Sequence, residues 1–355
     1  MTLDQTVLEI ENLKTYFYLD EGTVKAVEDV SLSLTKGRTL GIVGESGCGK
    51  SVTARSVLQI AGAGGKVVEG RILFHRDGDV VDLAQMHPTS EQIRQIRGRD
   101  IAMIFQEPMT SFSPLYTVGR QIMEAILYHT AVTKSEARAR TIELLGKVGI
   151  PQPDRTVDAY PFELSGGMRQ RAMIAMALAG DPSILIADEP TTALDVTIQA
   201  QILALLQAIQ QETGMAIMII SHNMGVIAEM ADEVAVMYLG RVVERAPVWE
   251  LFDHPSHPYT IALMNSIPLV EEKARDRLES IKGSVPDPYA TVTGCPFHRR
   301  CPSFMPGLCN TVLPVETPVA GNPHHTVRCH LYPGSAAGAV AGTSGRVPDT
   351  ARRAR

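Results

Sequence analysis

The stretch Gly44-Glu45-Ser46-Gly47-Cys48-Gly49-Lys50-Ser51 follows a short apolar run, Thr39–Val43, and precedes residues with helical spacing. A Gly-x-x-x-x-Gly-Lys-Ser pattern in this strand–turn–helix context is typical of a phosphate-binding loop. Its glycines let backbone N–H groups turn toward phosphate oxygens, and the helix N-terminus adds partial positive charge. We expect Lys50 to reach the β- and γ-phosphates and the Ser51 hydroxyl to bind Mg²⁺. The eight residues therefore predict an ATP-binding site.

Two adjacent carboxylates come directly after a second apolar run, residues 184–187. Asp188 ends this strand, where a carboxylate can hold Mg²⁺ through water. Glu189 follows at once and can orient or deprotonate the water that attacks a γ-phosphate. An Asp-Glu pair alone is usually a solvated turn. Its place behind a buried strand favours a site for ATP hydrolysis.

Helical and strand patterns alternate around these carboxylates. Residues 168–179 and 198–212 have helical spacing, whereas residues 184–187 and 215–220 form apolar runs of strand length. This alternation predicts an α/β fold with a parallel sheet covered on both faces. The carboxyl ends of such strands are where open α/β sheets bind ligands.

The segments before and after the phosphate loop predict further local elements. Residues 6–43 indicate short strands, and residues 71–74 and 80–83 indicate a hairpin at a sheet edge. Between the two halves of the core, Thr133 and Glu136 have the spacing of a capping box at the start of a helix.

Changes in composition along the chain suggest its domain limits. We expect a nucleotide-binding domain at 1–250, with a helical subdomain inserted at about 107–169. A small C-terminal domain rich in Pro, His and Cys is expected at 251–333. The final Ala-, Gly- and Ser-rich segment, 334–355, is predicted to be a disordered tail.

Bulk composition excludes some classes of function. The net charge is −6 over 355 residues, which argues against a broad electrostatic grip on nucleic acid. The sequence lacks the basic start and following apolar stretch that indicate a signal peptide. No apolar run approaches the roughly 20 residues that a helix needs to cross a bilayer. We therefore expect a soluble, intracellular chain whose membrane role, if it has one, comes through partners.

The segment Leu164-Ser165-Gly166-Gly167 resembles the signature of the ATP-binding-cassette (ABC) ATPases, and its spacing to Asp188-Glu189 and to Asp195 is similar to theirs. The resemblance covers about residues 7–335. It implies a RecA-like P-loop NTPase core with a helical insert and a small C-terminal Cys-rich domain. It also implies a head-to-tail ATPase dimer, in which the signature of one subunit binds ATP held by the other. Asp195 would reach across this interface.

The same resemblance gives roles to residues that follow two other apolar strands. Gln106 is assigned to the loop that senses Mg²⁺ and the attacking water, so that the Mg²⁺ site comprises Ser51, Gln106 and Asp188. His222 is assigned to the γ-phosphate. With Glu189 as the base, Gln106 and His222 complete the expected catalytic set.

One aromatic side chain and one departure from the family pattern complete the comparison of motifs. Phe17 occupies the place where the family stacks an aromatic ring on adenine, and Tyr16 and Tyr18 beside it remain alternatives. Met168 stands where many relatives have Gln, which should leave the anion site of the signature intact.

Four further segments, residues 105–111, 168–176, 191–200 and 257–260, resemble the oligopeptide/dipeptide branch of importers. This resemblance implies a D-type subunit that works with a second, different ATPase, two transmembrane permease subunits and an extracytoplasmic substrate-binding protein. It places the chain at the cytoplasmic face of the inner membrane as a peripheral subunit, with residues 107–114 docking on a permease. Peptides are the expected cargo, and nickel complexes and sugars remain alternatives.

Four of the five cysteines lie near the C-terminus: Cys295, Cys301, Cys309 and Cys329. Disulfides are improbable in a reducing cytosol, and clustered thiolates suggest a metal centre. Zinc favours closer Cys pairs than these, so the wider spacing favours an iron–sulfur cluster, with zinc and free thiols left open. The resemblance implies a [4Fe–4S] cluster. Cys48 stands apart in the phosphate loop and is interpreted as incidental.

Two other functions fit a cassette ATPase. A soluble ATPase acting on DNA or ribosomes would predict coiled-coil insertions, a second cassette or basic surface runs, and the sequence has none of them. A regulatory protein that binds ATP and hydrolyses little would not need both Glu189 and His222. Transport driven by ATP hydrolysis is therefore the favoured interpretation.

Overall fold

The computed structural model describes residues 5–76, 78–106, 111–192, 194–266, 281–287, 289–290 and 292–335. Its strands are β1 (Thr6–Leu19), β2 (Gly22–Thr35), β3 (Thr39–Val43), β4 (Gly65–Arg76), β5 (Asp79–Asp82), β6 (Ile101–Ile104), β7 (Ile184–Asp188), β8 (Ala216–Ile220), β9 (Glu233–Tyr238), β10 (Arg241–Pro247), β11 (Thr317–Val319) and β12 (Asn322–Val327). Its α-helices are α1 (Lys50–Val57), α2 (Glu91–Ile96), α3 (Val118–His129), α4 (Lys134–Lys147), α5 (Pro153–Thr156), α6 (Gly166–Ala177), α7 (Val196–Thr213), α8 (Met224–Met230), α9 (Val248–Asp253) and α10 (Pro258–Asn265).

An eight-stranded sheet of order β11-β12-β10-β9-β3-β8-β7-β6 forms the centre of the fold. Strands β9, β3, β8, β7 and β6 run parallel, and every residue of β3, β7 and β8 is buried. Buried parallel strands read as continuous apolar runs because both of their faces are covered. The predicted α/β fold with a parallel sheet is confirmed.

Successive residues of one strand serve different hydrophobic cores on the two faces of this sheet. In β7, Leu185 and Ala187 pack in a core shared with helices α3, α4 and α6. Ile184 and Ile186 pack in a second core with α1 and the N-terminal strands. The side-chain period of two in a strand produces this division. The sheet is thereby fixed from both sides, and its carboxyl edge is held in place.

The N-terminal strands form a separate four-stranded antiparallel sheet of order β2-β1-β4-β5. The expectation of short strands was wrong, since β1 and β2 each have 14 residues. No Pro or Gly interrupts β1, and its polar residues lie mostly on the less buried side of an alternating pattern. The predicted edge hairpin is present as β4 and β5, with β5 at the edge; Asp77 lies outside the described residues.

Helices α3, α4 and α5 lie between β6 and α6 in the chain, within the segment predicted as a helical insert. The capping box of α4 is confirmed, because the N–H of Thr133 donates to the Glu136 carboxylate over 2.7 Å and the Glu136 N–H donates to the Thr133 hydroxyl over 3.3 Å. The first residues of the predicted insert, 107–110, lie outside the described residues.

The C-terminal region is joined to the central sheet. Strand β12 pairs antiparallel with β10, so the predicted domain limit at residue 250 divides one continuous sheet. The contact includes a fully buried pair, in which His325 Nε2 lies 2.8 Å from Glu244 Oε1. Burial works to lower the pKa of His325, but the hydrogen bond and charge of Glu244 raise it above the usual value. Sequence composition gave no sign of this attachment.

The end of the described chain extends slightly beyond the predicted start of disorder at residue 334. Ser335 is buried, and its main-chain N–H donates to the carbonyl of Tyr332. The rest of the predicted tail, 336–355, lies outside the described residues. Among the helices that the structure describes, none has both the length and the apolar character needed to span a bilayer.

Candidate nucleotide-binding site

The loop between β3 and α1 has a backbone that requires glycine. Gly49 has φ 101°, and a Cβ there would lie 2.3 Å from the carbonyl oxygen of Ala26. A Cβ on Gly44 would lie 2.2 Å from the carbonyl oxygen of Met237. Gly49 caps α1 without a side-chain hydrogen bond, so no capping side chain occupies the first N–H groups of this helix. A phosphate oxygen is a natural partner for these groups.

Lys50 supplies the positive charge of the loop. Its side chain is buried, and its Nζ donates to the carbonyl oxygens of Gly44 over 2.7 Å and Glu45 over 3.0 Å. These bonds hold the ammonium group within the curve of the loop. The loop therefore holds a positive charge beside its N–H groups, a combination suited to the β- and γ-phosphates of a nucleotide.

Ser51 and Asp188 lie together beside this loop. The Ser51 hydroxyl donates to Asp188 Oδ1 over 2.8 Å. Asp188 is fully buried, and its Oδ2 has no hydrogen-bond partner and lies 3.9 Å from an Arg55 nitrogen. Burial raises the pKa of this carboxyl group. A hydroxyl next to a carboxylate oxygen that lacks a hydrogen-bond partner fits the oxygen ligands that Mg²⁺ prefers.

Three side chains converge on Glu189. Gln106 Nε2 donates to its Oε2 over 3.0 Å, and the Thr192 hydroxyl donates to the same oxygen over 2.8 Å. His222 Nδ1 lies 3.1 Å from Oε1. Glu189 itself has φ 50°, an unusual left-handed backbone for a residue other than glycine. Residues from the ends of β6, β7 and β8 thus meet at one carboxylate.

The surroundings of Glu189 keep it ionised. Burial works to raise its pKa, but hydrogen bonds from His222 and Thr192 outweigh this effect and lower the pKa below its ordinary value. The His222 side chain is 61% exposed, so it lies at the mouth of the site. A carboxylate in this setting can accept a proton from water at neutral pH.

The signature residues and Asp195 lie outside this hydrogen-bonded group. Ser165 caps α6, with its hydroxyl accepting from the Met168 N–H over 3.3 Å, and Leu164 is buried behind it. Ser165 and Gly166 are exposed, and a Cβ on Gly166 would meet nothing within 4 Å. Gly167, by contrast, packs against Ile198. The start of α6 therefore presents N–H groups on the protein surface.

Asp195 also caps a helix, since its Oδ1 accepts from the Ile198 N–H over 3.0 Å at the start of α7. Its side chain is exposed, as is that of Val196 beside it. The capping bond uses one carboxylate oxygen of this exposed side chain and does not involve the other.

The three candidate adenine-stacking side chains differ in their surroundings. The Tyr16 hydroxyl donates to Glu28 over 2.6 Å, and Tyr18 is exposed. The Phe17 ring lies beside Gly65, where a Cβ would be 2.9 Å from a ring carbon. The role of Phe17 on adenine stays a prediction.

The C-terminal cysteines lie within electrostatic reach of one another. Burial raises the pKa of Cys295 and of Cys329 to about 12 in each case, and in both cases the charges of Cys301 and Cys309 add to the increase. In the part of the chain that the structure describes, no group of three or more His, Cys, Asp or Glu side chains could hold a single metal ion. The described residues therefore form no site for a single metal ion, and the metal centre stays a prediction.

Some residues of the site had no role in the sequence prediction. Thr192 lies three positions after Glu189, a spacing that could have indicated its contact with that carboxylate. Arg300 and Tyr259 both contact Glu45 of the phosphate loop from the C-terminal region. Nothing in their sequence positions signals these long-range contacts.

The fold and the site together define a P-loop ATPase of the cassette type. The family model "ABC transporter" matches residues 27–192, and the model "Oligopeptide/dipeptide transporter, C-terminal region" matches residues 243–309. The chain belongs to the ABC transporter ATP-binding proteins of the oligopeptide/dipeptide branch, and it is an ATPase.

Curated relatives match nearly the whole chain. The oligopeptide transport ATP-binding protein AppD of Bacillus subtilis is 46% identical over 92% of this chain and 97% of its own. The dipeptide transport ATP-binding protein DppD of the same organism is 47% identical over 92% and 95%. The probable peptide ABC transporter ATP-binding protein y4tR of Sinorhizobium fredii is 48% identical over 91% and 94%.

Solved structures match the cassette portion. The dimeric post-hydrolysis structure of the ATP-binding cassette MJ0796 bound to ADP and Pi has a TM-score of 0.59 and 26% identity, over 68% of this chain and 98% of that one. The structure of cbiO1 from Clostridium perfringens, part of the transporter complex cbiONQ, has a TM-score of 0.58 and 27% identity over 70% and 91%. The catalytic portion of this chain thus has the fold of known cassettes.

Proposed function

We propose that this chain is the ATP-hydrolysing subunit that powers peptide import through an ABC transporter. The observation that carries the hydrolytic part of the proposal is the set of contacts that Gln106, Thr192 and His222 make with Glu189. A protein that only binds nucleotide has no need of them. The printed names of relatives that cover most of the chain support peptides as the cargo. Nickel complexes and sugars remain the alternative cargoes.

The chemistry follows from the positions of these side chains. Lys50 and the N–H groups of the loop bind the phosphates, and Glu189 accepts the proton of the water that attacks the γ-phosphorus in line. His222 and Gln106 hold that carboxylate and border the place of the water. Ser51, Asp188 and Gln106 would hold Mg²⁺, which supplies neutralisation of phosphate charge when bound.

The surface residues supply the second half of the proposal. Exposed Ser165 and Gly166 at the start of α6 would bind the γ-phosphate of ATP held by a partner ATPase, with Asp195 at the same interface. The partner is expected to be a different chain in a head-to-tail dimer. Two permease subunits and an extracytoplasmic substrate-binding protein would complete the assembly, with this chain peripheral at the cytoplasmic face of the inner membrane.

Uptake by cells tests the cargo. Cells that carry only a Glu189→Gln chain should lose uptake of radiolabelled di- and oligopeptides, because hydrolysis is expected to fall about 10²–10⁴-fold without the base. Cells with a Glu229→Gln chain, changed at an exposed carboxylate on α8, should take up peptide normally. If the Glu189→Gln cells lost nickel or sugar uptake and kept peptide uptake, the cargo would be nickel complexes or a sugar and not peptides. Recovery of the chain with ribosomes, and not with membranes, would contradict transport altogether.

We further propose that residues 251–333 form a Cys-rich unit that holds a [4Fe–4S] cluster with a structural role. Each thiolate of such a cluster binds a different iron, so the four sulfurs need not converge on one point as they do around zinc. The mutual electrostatic influence of Cys295, Cys301, Cys309 and Cys329 supports this proposal. Cys295 and Cys309 lie in a hydrophobic core and Cys301 packs against it, so these surroundings would shield a cluster from solvent.

Metal analysis of protein purified without oxygen tests the cluster. We expect brown protein with about four irons and four sulfides per chain, as four-thiolate ligation requires. A Cys309→Ser variant should lose this iron, whereas Cys48→Ser, changed at the buried thiol of the phosphate loop, should retain it. Colourless protein, with one zinc or with no metal, would contradict the cluster and leave the ATPase assignment intact.

A further inference from the structure

The second residue of the phosphate loop is held by the C-terminal region. Arg300 Nη1 lies 2.6 Å from Glu45 Oε2, and Nη2 lies 3.0 Å from Oε1. The main-chain N–H of Glu45 donates to the hydroxyl of Tyr259 over 2.8 Å. Arg300 is 255 positions from Glu45 along the chain, and Tyr259 is 214. Only the folded C-terminal region brings these groups to the loop.

The guanidinium of Arg300 is fixed in its orientation. Its side chain is 4% exposed, and Nε donates to the carbonyl of Lys282 over 3.0 Å. Nη1 also reaches the Tyr238 hydroxyl at 3.3 Å, and the guanidinium carbon lies 5.9 Å from the centres of both the Tyr238 and the Phe297 rings. A two-pronged bond from a guanidinium held in this way sets both the distance and the angle of its carboxylate.

Glu45 transmits this constraint to Lys50. Its carbonyl oxygen accepts from Lys50 Nζ over 3.0 Å, its N–H is bound by Tyr259, and its side chain is bound by Arg300. All three hydrogen-bonding groups of one loop residue are therefore occupied. A change in the position of Glu45 would move the ammonium group and the N–H groups that receive phosphate.

We propose that Arg300 is a positioning residue for the nucleotide: through Glu45, it holds the phosphate loop and Lys50 in the geometry that binds phosphates. The competing explanation is that the ion pair only fastens the C-terminal region to the core. The proposal rests on the nucleotide site and is independent of the cargo. Binding of nucleotide and stability of the fold separate the two explanations.

The decisive variant is Arg300→Gln in the full chain. Titration calorimetry with MgADP is expected to show about tenfold weaker binding, because a displaced loop loses charge-assisted bonds to the β-phosphate. Arg299→Gln removes the same charge one residue earlier from an exposed side chain, and its MgADP affinity should match the parent. If Arg300→Gln bound MgADP as tightly as the parent and only its melting temperature were lower, the ion pair would serve only to fasten the C-terminal region to the core. That result would overturn the proposal.

A double-mutant cycle tests the route through Glu45. If Arg300 acts by way of this residue, Glu45→Gln weakens MgADP binding and adding Arg300→Gln weakens it no further. Multiplied effects in the double variant would show that Arg300 acts independently of Glu45, and would overturn the mechanism. Glu45→Gln keeps the shape of the side chain, so its main-chain contacts with Tyr259 and Lys50 can persist.

Arg300→Lys decides the matter if Arg300→Gln does not fold. Lysine retains the charge and cannot reproduce the two-pronged bond. We therefore expect a loss of MgADP affinity that is smaller than tenfold. Unchanged MgADP affinity in folded Arg300→Lys would overturn the need for a fixed orientation. Amide hydrogen exchange of residues 295–301 gives a second measurement. If the phosphate loop and this segment are coupled, binding of MgADP at the loop must slow exchange in the segment of the parent protein.

Discussion

Glu189→Gln is expected to slow phosphate release by about 10²–10⁴-fold, the usual contribution of a positioned general base. The lowered pKa of Glu189 keeps it a carboxylate at neutral pH, and an amide cannot accept the proton of water. The amide oxygen can still accept from Thr192 and Gln106, so the surroundings of the residue change little. The measurement is steady-state hydrolysis of MgATP by the purified chain, together with its MgATP affinity.

The control for this prediction is Glu229→Gln, which alters an exposed carboxylate and should keep the parental rate. MgATP affinity should also persist in Glu189→Gln, because Lys50 and the loop N–H groups bind the phosphates without help from this carboxylate. A parental rate of phosphate release in the Glu189→Gln chain would remove Glu189 from its role as base. His222, which lies 3.1 Å from it, would then be the next candidate.

The central sheet could be predicted from sequence because its strands are apolar on both faces. Runs such as 184–187 have no polar residue to mark a solvent side, and helical periods separate them. Strands β11 and β12 were missed for the opposite reason. They are short and contain Pro318 and Pro323. Strand β11 pairs with β12, and β12 depends on pairing with the distant β10, as the Glu244–Val327 pair shows. Local patterns carry no information on such distant pairing.

The site shows the same division between local and distant information. Asp188 ends a buried strand, and Gln106, Glu189 and His222 each come after one. Parallel strands bring their ends to one edge, so sequence order was enough to group these residues. The contact between Glu45 and Arg300 joins residues 255 positions apart, and each looks like an ordinary solvated charge in the sequence. The charge of a residue shows that it can pair, and only the fold shows with which residue it does so.

Lys50→Met is expected to weaken MgATP binding by about 10- to 100-fold, since a hydrogen bond to a charged group contributes about 1.5–3 kcal/mol. Hydrolysis at saturating MgATP should fall by a further factor of about 10²–10³, the cost of removing one donor from a developing anion. Methionine retains most of the buried aliphatic part of the lysine side chain. The losses of affinity and rate therefore measure the contribution of the ammonium group. Titration calorimetry and phosphate release measure the two effects separately.

The matched control is Lys36→Met, which removes an exposed ammonium in the turn before β3 and should alter neither quantity. Lys50 also bonds to the carbonyls of Gly44 and Glu45, so a part of its effect could come from the shape of the loop. Arg300→Gln perturbs the shape and keeps the ammonium. If Lys50→Met lost no more affinity than Arg300→Gln, the ammonium would contribute only to the shape of the loop. A larger loss in Lys50→Met assigns the difference to direct contact between Lys50 and phosphate.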